Sequence, residues 1–298
     1  MHAQSPVSYR ILQALLLAAL VAAPACSSAG SKSTNSATGA AGAANGAAAA
    51  SSTSAAAPAS AQPMGDADPK AAAIAKQLTD AMGGQDAWNN MPYFRFDFVV
   101  MKEGKELARF KHYWDKKNGM DRVEGPDDKG HNVVAMVMLA GKTGSAYVDG
   151  VKQDSAAAVP LVENGYDRWV NDTYWVMMPF KLRDPGTHLK YDKTVTENGN
   201  TYDVLSLTFS KGVGLTSDDH YWLYVNQKTH MIDKWQYLLT GQKPPASTAM
   251  WVSYTAVGPV KLSLERHMMG KPVMLKFDNA AAPETMDPAV FSSPKPVS

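Results

Sequence analysis

Residues 93–100 read YFRFDFVV, and this stretch decides the fold class of the chain. Phe94, Phe96, Phe98 and Val100 take every second position, and two of the residues between them are charged. Successive side chains of a β-strand point to opposite faces, so the pattern predicts a strand with one strongly apolar face.

The same period of two continues beyond that strand. Residues 106–114 alternate in the same way after a predicted turn at Glu103-Gly104, and Asn118-Gly119 and Asn198-Gly199 are strong hairpin signals. Further strands are predicted as far as residue 278, about eleven in all. Because strands and helices do not alternate regularly along the chain, we expect a mainly β (α+β) domain with a large antiparallel sheet.

Two segments have helical spacing instead. The first is residues 69–82, which follow the capping residue Asp68 and end before Gly83-Gly84; the second is residues 158–178. Residues 131–139 are apolar on both faces, so the sheet must be covered on both sides or leave an apolar concavity. The prediction is a curved antiparallel sheet, or half-barrel, with helices covering its concave side.

The N-terminus has the pattern of an export signal. Arg10 is followed by an apolar run, residues 11–23, which is too short to span a bilayer but suits a signal peptide over residues 1–25. Ala23-Pro24-Ala25 fits ordinary signal peptidase, which would release a secreted or periplasmic protein. Cys26, the only cysteine, also makes the site resemble a bacterial lipobox, which favours acylation (a palmitate-type anchor) on Cys26.

Residues 26–65 form the second predicted region, and residues 66–298 the folded domain. Between residues 27 and 62 the chain is almost entirely Ala, Ser, Gly, Thr and Asn, which predicts a disordered tether with a reach of roughly 30–36 Å. The chain from Cys26 onward has 28 basic and 28 acidic residues, because Arg10 is the only charge before it. A neutral chain lacks the basic footprint of a nucleic-acid-binding protein.

Several spaced aromatic and turn residues resemble a known superfamily. Trp88 follows Gly83-Gly84 and precedes the strand at Tyr93; residues 174–186 read YWVMMPFKLRDPG, and residues 219–224 read DHYWLY. Together these are similar to lipoprotein carriers of the LolA/LolB type, nearest to an uncharacterised family of bacterial exported proteins. The resemblance covers about residues 80–298. It implies an incomplete barrel plugged by helices, and in the carriers the corresponding cavity holds acyl chains.

No motif predicts a catalytic site, a metal site or a cofactor. The histidines form no His-Glu-x-x-His or His-x-His pair, and no Gly-x-Ser-x-Gly elbow occurs. Ser217-Asp218-Asp219-His220 allows two interpretations, either an acid–base or metal loop or a solvated loop entering a strand, and the second is favoured. The candidates for lining an apolar cavity are Phe94, Phe96, Phe98, Phe110, Trp114, Met136, Met138, Trp169, Met177, Leu205, Leu207 and Trp222.

Three functions remain open from the sequence. The first is a membrane-anchored lipoprotein that binds a lipid or acyl chain; Ser27 after the anchor favours the outer membrane, facing the periplasm. The second is a non-catalytic structural module of the cell envelope with protein partners. The third is a hydrolase that uses the loop from Asp218 to His220.

Overall fold

The computed structural model describes residues 64–295 and residue 297. The predicted signal peptide, Cys26 and nearly all of the predicted tether lie outside the described residues. The first elements are β1 (Asp66–Ala67), α1 (Pro69–Ala81), α2 (Gln85–Asn90) and β2 (Tyr93–Lys102). They are followed by β3 (Lys105–Asp115), β4 (Met120–Pro126), β5 (Asn132–Met138), β6 (Thr143–Val148), β7 (Val151–Lys152), α3 (Ser155–Met177) and a 3₁₀ turn (Met178–Lys181). The rest comprises β8 (Thr187–Glu197), β9 (Asn200–Phe209), β10 (His220–Asn226), β11 (Ile232–Leu238), β12 (Ser247–Val257), β13 (Val260–Met268), β14 (Val273–Ala281) and a 3₁₀ turn (Pro288–Phe291).

All the described strands form one curved, unclosed sheet. Its order is β1-β8-β9-β10-β11-β12-β13-β14-β2-β3-β4-β5-β6-β7, with antiparallel neighbours except for the parallel pair β1–β8. The predicted mainly β fold with a curved antiparallel sheet is therefore confirmed. The described sheet has fourteen strands where about eleven were expected. Two of them, β1 and β7, contain only two residues each, which is too short for a period-two pattern.

The two long helices pack on the same face of the sheet, which carries Phe94, Phe96 and Phe98 and is called the concave face below. Helix α1 begins where predicted, because the Asp68 carboxylate accepts hydrogen bonds from the amides of Ala71 (2.8 Å) and Tyr191 (2.7 Å). Helix α3 begins three residues earlier than predicted. There the Asp154 side chain caps the first turn by accepting from two backbone amides.

Gly165 on helix α3 lies directly against strands β4 and β5. A Cβ atom at this position would lie 2.9 Å from Ala135 Cβ and 3.0 Å from Val137 Cγ2. Both distances are below ordinary van der Waals contact, so the absence of a side chain at Gly165 is what permits this helix–sheet distance. Neither a helical pattern nor a turn pattern in the sequence reveals this requirement.

The opposite, convex face is covered in part by the C-terminal segment, residues 288–295. Arg122 is fully buried there, and its guanidinium donates to the carbonyls of Val290 (2.8 Å), Ser293 (2.6 Å) and Lys295 (2.6 Å). Beside it, Glu124 accepts from Arg122 (2.6 Å) and from the amide of Val297 (2.9 Å). This ion pair fixes the C-terminal segment on the convex face beside β4.

Candidate functional site

A cavity of about 270 Å³ lies between the C-terminal half of α3 and the concave face. Strands β9 and β10 form its floor, and the turn at residues 184–187 and the loop at residues 213–219 form its rim. Its apolar lining includes five aromatic residues and a leucine: Trp169, Tyr174, Trp175, Phe209, Tyr221 and Leu239. The rest of the concave interior is filled mainly by one continuous apolar core of this chain's own side chains.

The aromatic wall of the cavity is fixed by ring contacts. Tyr174 packs against Tyr221 (5.6 Å between centroids) and against Phe209 (6.3 Å), and Phe209 meets Tyr221 edge to face at 6.1 Å. The Tyr174 hydroxyl is buried and has no hydrogen-bond partner among the described residues. Burial raises the pKa of Tyr174 well above its usual 10, and the charges of Asp184 and Asp219 raise it further. Tyr174 therefore stays neutral.

Asp219 is the buried carboxylate of the cavity lining. Its Oδ1 accepts from the Thr240 amide (2.7 Å) and hydroxyl (2.9 Å). Its Oδ2 accepts from the hydroxyls of Thr216 (2.7 Å) and Tyr221 (3.0 Å). At the rim, Lys181 forms an ion pair with Asp184.

The acid–base interpretation of the Ser217–His220 segment finds no geometric support. Tyr221 faces the cavity, so its neighbour His220 faces the convex side, where His220 Nε2 lies 2.8 Å from Ser206 Oγ and the ring packs on Trp222. Asp219 is engaged by the four donors described above. Within residues 64–295, no group of three or more His, Cys, Asp or Glu side chains is arranged to hold a metal ion.

The twelve predicted cavity residues have three different placements. Trp169 lines the cavity, and Trp114 packs edge to face against it at 5.3 Å. A second set is buried in the concave core: Phe94, Phe96, Phe98, Phe110, Met177, Leu205 and Leu207.

Met136, Met138 and Trp222 lie on the convex face, away from this cavity. Met136 is paired in register with Arg122, and Trp222 packs with Tyr202 and Tyr224. The alternation of these strands was evident in the sequence, but which phase faces inward is set by register with neighbouring strands. The residues of the concave core do face inward. Whether an inward side chain fills the core or lines a cavity depends on packing, which the spacing of residues in the sequence does not show.

A buried ionic cluster joins α3 to the sheet, and it was not anticipated from the sequence. His112 on β3 lies 3.0 Å from Asp121 on β4 through Nδ1 and 3.1 Å from Asp172 on α3 through Nε2. Arg168, one helical turn before Asp172, lies 3.6 Å from it and stacks on Phe110. One signal in the sequence pointed to this cluster: Arg168 and Asp172 stand four residues apart, on the face of α3 that is otherwise directed at the core.

The protonation of this cluster follows from its surroundings. Burial alone lowers the pKa of His112, but the charges and hydrogen bonds of Asp121 and Asp172 outweigh it and raise that pKa to about 9. Burial raises the pKa of Asp121 to about 6 against the opposing charge of His112. At neutral pH His112 is therefore protonated and Asp121 is ionised. Because the side chains of His112, Asp121 and Asp172 are fully buried, the cluster fastens α3 to the sheet and does not face a substrate.

Comparisons with known proteins concern the family and the fold. The model of a family of unknown function, DUF6503, matches residues 128–246. No curated protein matches the chain. In the part of the chain that the structure describes, no helix is long and apolar enough to cross a membrane.

Similar solved structures include a DUF1329 family protein from Desulfovibrio piger, with 11% identity over 74% of this chain and 96% of that one and a TM-score of 0.44. A LolA superfamily protein from Nitrosomonas europaea has the same identity and coverage and a TM-score of 0.43. The lipoprotein LppX from Mycobacterium tuberculosis is 10% identical over 74% of this chain and 100% of its own, with a TM-score of 0.31. The superfamily that the sequence resembles is thus among those matched.

Proposed function

We propose that this chain is a membrane-anchored lipoprotein of the cell envelope that binds an apolar ligand, a lipid or acyl chain, in the cavity beneath α3. The observation that carries the proposal is the aromatic and aliphatic cavity of about 270 Å³ that remains beside an otherwise filled concave core. Cavities lined by apolar side chains with a few polar groups are the usual form of small-molecule sites. The proposed role is non-catalytic.

The size of the cavity fits part of an acyl chain. A group the size of a water molecule takes ~30 Å³, so the cavity accommodates about nine methylene-sized groups. At ~0.8 kcal/mol per buried methylene, nine groups supply roughly 7 kcal/mol. That exceeds the lower range of the cost of association, about 4 kcal/mol. The surplus of roughly 3 kcal/mol corresponds to a dissociation constant of a few millimolar, so we expect saturable binding at millimolar ligand.

The anchor is the second part of the proposal. Acylation of Cys26 would attach the chain to a membrane, and the stretch from residue 27 to residue 62 would let the domain reach partners away from the surface. We place the protein at the outer membrane, facing the periplasm. Cys26→Ala should move the protein from the membrane fraction to the soluble fraction, and mass spectrometry of the native N-terminus should show the acyl mass. An unmodified N-terminus in the native protein would contradict the anchor and leave the cavity proposal intact.

Ligand binding is best tested with the full chain carrying Cys26→Ala, because no detergent is then needed to keep it in solution. A neutral, polarity-sensitive dye should bind in a saturable, one-to-one manner and be displaced by neutral alkyl compounds. Native mass spectrometry of the same protein should show co-purifying apolar guests. Dye fluorescence that rises linearly without saturation would reject the proposal.

A further inference from the structure

The cavity combines an aromatic wall with a negative charge that no cation within the lining offsets. Three ionisable carboxylate or ammonium groups line it: Lys181 and Asp184, which pair with each other, and Asp219. Two negative charges and one positive charge leave a net charge of minus one. The Tyr174 hydroxyl lies close enough to this charge that Asp184 and Asp219 both raise its pKa.

Asp219 is hydrogen-bonded but not neutralised. All four of its donors, from Thr216, Tyr221 and Thr240, are uncharged. These dipoles stabilise the carboxylate without cancelling its field, and in a buried setting that field is screened less than in water. An anionic ligand head would be repelled here, whereas a cationic head would supply the missing counter-charge.

The number of hydrogen bonds that Asp219 accepts limits which cationic ligand heads can bind beside it. An ionised carboxylate offers about four acceptor positions, and Asp219 already accepts four hydrogen bonds. A primary ammonium would need acceptors for its three N–H groups; the positions on Asp219 are taken, which leaves it the Tyr174 hydroxyl as a buried acceptor with no partner among the described residues. A quaternary ammonium has no N–H groups, and the faces of Trp and Tyr rings attract it directly.

We infer that the cavity selects amphipathic ligands whose polar end is a quaternary ammonium cation, with Asp219 setting the preference; this deepens the proposed function and rests on it. The rings of Tyr174 and Tyr221 contact the methyl groups of the head, roughly five further methylene-sized groups of the ligand fill the rest of the cavity, and a longer chain extends past the rim. Lys181 stays paired with Asp184 at the rim and does not oppose the cation.

The test compares three ten-carbon probes on the Cys26→Ala chain: decyltrimethylammonium, decanol and decanoate. Decyltrimethylammonium should bind at least tenfold more tightly than decanoate (about 1.4 kcal/mol), with decanol between them. Tetramethylammonium, which has the head without the chain, should not compete at concentrations that saturate with the decyl cation. Equal or tighter binding of decanoate, or equal binding of tetramethylammonium, overturns the inference while leaving apolar binding standing. Failure of all three decyl probes to saturate overturns the proposed function as well.

Asp219→Asn is the matched variant. Its amide oxygen can still accept from Thr240, and its NH₂ can donate to the hydroxyls of Thr216 and Tyr221, which reverse their roles. The preference for decyltrimethylammonium over decanoate should fall to less than threefold, while decanol binding persists. Asp218→Asn removes the same charge from the neighbouring, exposed residue and should keep the full preference. If Asp219→Asn keeps the preference for decyltrimethylammonium over decanoate, the inference is overturned. If that variant does not fold, the order of affinities of the three probes for the protein with Asp219 intact tests the inference instead.

Discussion

Replacing His112 with leucine should destabilise the domain by about 3–5 kcal/mol, the usual cost of removing one partner from a buried ion pair. His112 lies 3.0 Å from Asp121 and 3.1 Å from Asp172, and all three side chains are fully buried. The substitution leaves Asp121 without its cation, while Arg168 still neutralises Asp172. The rise in the pKa of His112 from 6.5 to about 9 corresponds to roughly 3 kcal/mol at ~1.4 kcal/mol per unit.

The sign of the pH dependence follows from the same shift. Because the folded pKa of His112 lies above the unfolded value, its contribution to stability is complete below pH 6.5 and is lost as the pH rises through 9. Burial lowers the pKa of Lys116 to about 8 and of Arg266 to about 9, and these groups act in the opposite direction. The informative quantity is therefore the difference in unfolding free energy between wild type and His112→Leu at pH 6.5 and at pH 9.5. Loss of the His112 contribution shrinks it by up to about 3 kcal/mol, and the buried Asp121, whose pKa rises when its cation is removed, offsets part of that change.

Urea unfolding at several pH values measures that difference. His131→Leu is the matched control, because His131 also pairs with an aspartate, Asp149, but both side chains are about half exposed. An exposed pair contributes at most about 1 kcal/mol, so the control should change stability little. A His112→Leu protein as stable as wild type at pH 6.5 would refute the conclusion that the cluster fastens α3 to the sheet.

Two further substitutions test the packing around the site. Gly165→Ala should destabilise the protein, because overpacking costs ~1–3 kcal/mol and the gain in helix propensity is only about 1 kcal/mol. Unchanged or higher stability in urea unfolding would show that α3 does not lie as close to the sheet as described. Arg122→Met should release the C-terminal segment, because three carbonyl groups of that segment lose their hydrogen-bond donor. Amide hydrogen exchange should then accelerate within residues 288–295 and stay unchanged in α3. Protection of that segment equal to wild type would contradict the role of Arg122.

The secondary structure was largely predictable because it depends on local patterns. The alternation over residues 93–100 and the helical spacing over residues 69–82 are properties of short stretches, and both elements are found with those patterns. The two-residue strands β1 and β7 were not predictable, since two residues cannot show a period. The need for a glycine at position 165 was not predictable either, because it arises from contact with Ala135 and Val137 on another element.

The site was less predictable because it is built from long-range register. Trp169 was named as a cavity residue, but Met136 and Trp222 belong to strands whose inward phase depends on pairing with β4 and β9. The cavity's carboxylate, Asp219, was noted only as part of a loop with His220, and the structure turns these two neighbours to opposite faces. The partners of His112 are 9 and 60 residues away along the chain, so spacing alone could not reveal the cluster.

The most direct test of the central claim, that the space beneath α3 receives an apolar ligand, is to fill that space. Val170 lines the cavity on α3, whereas Val159 on the same helix is 54% exposed. In the Cys26→Ala chain, Val170→Trp should abolish saturable binding of a neutral dye, and Val159→Trp should leave its dissociation constant unchanged. Undiminished binding by a folded Val170→Trp protein would contradict the account.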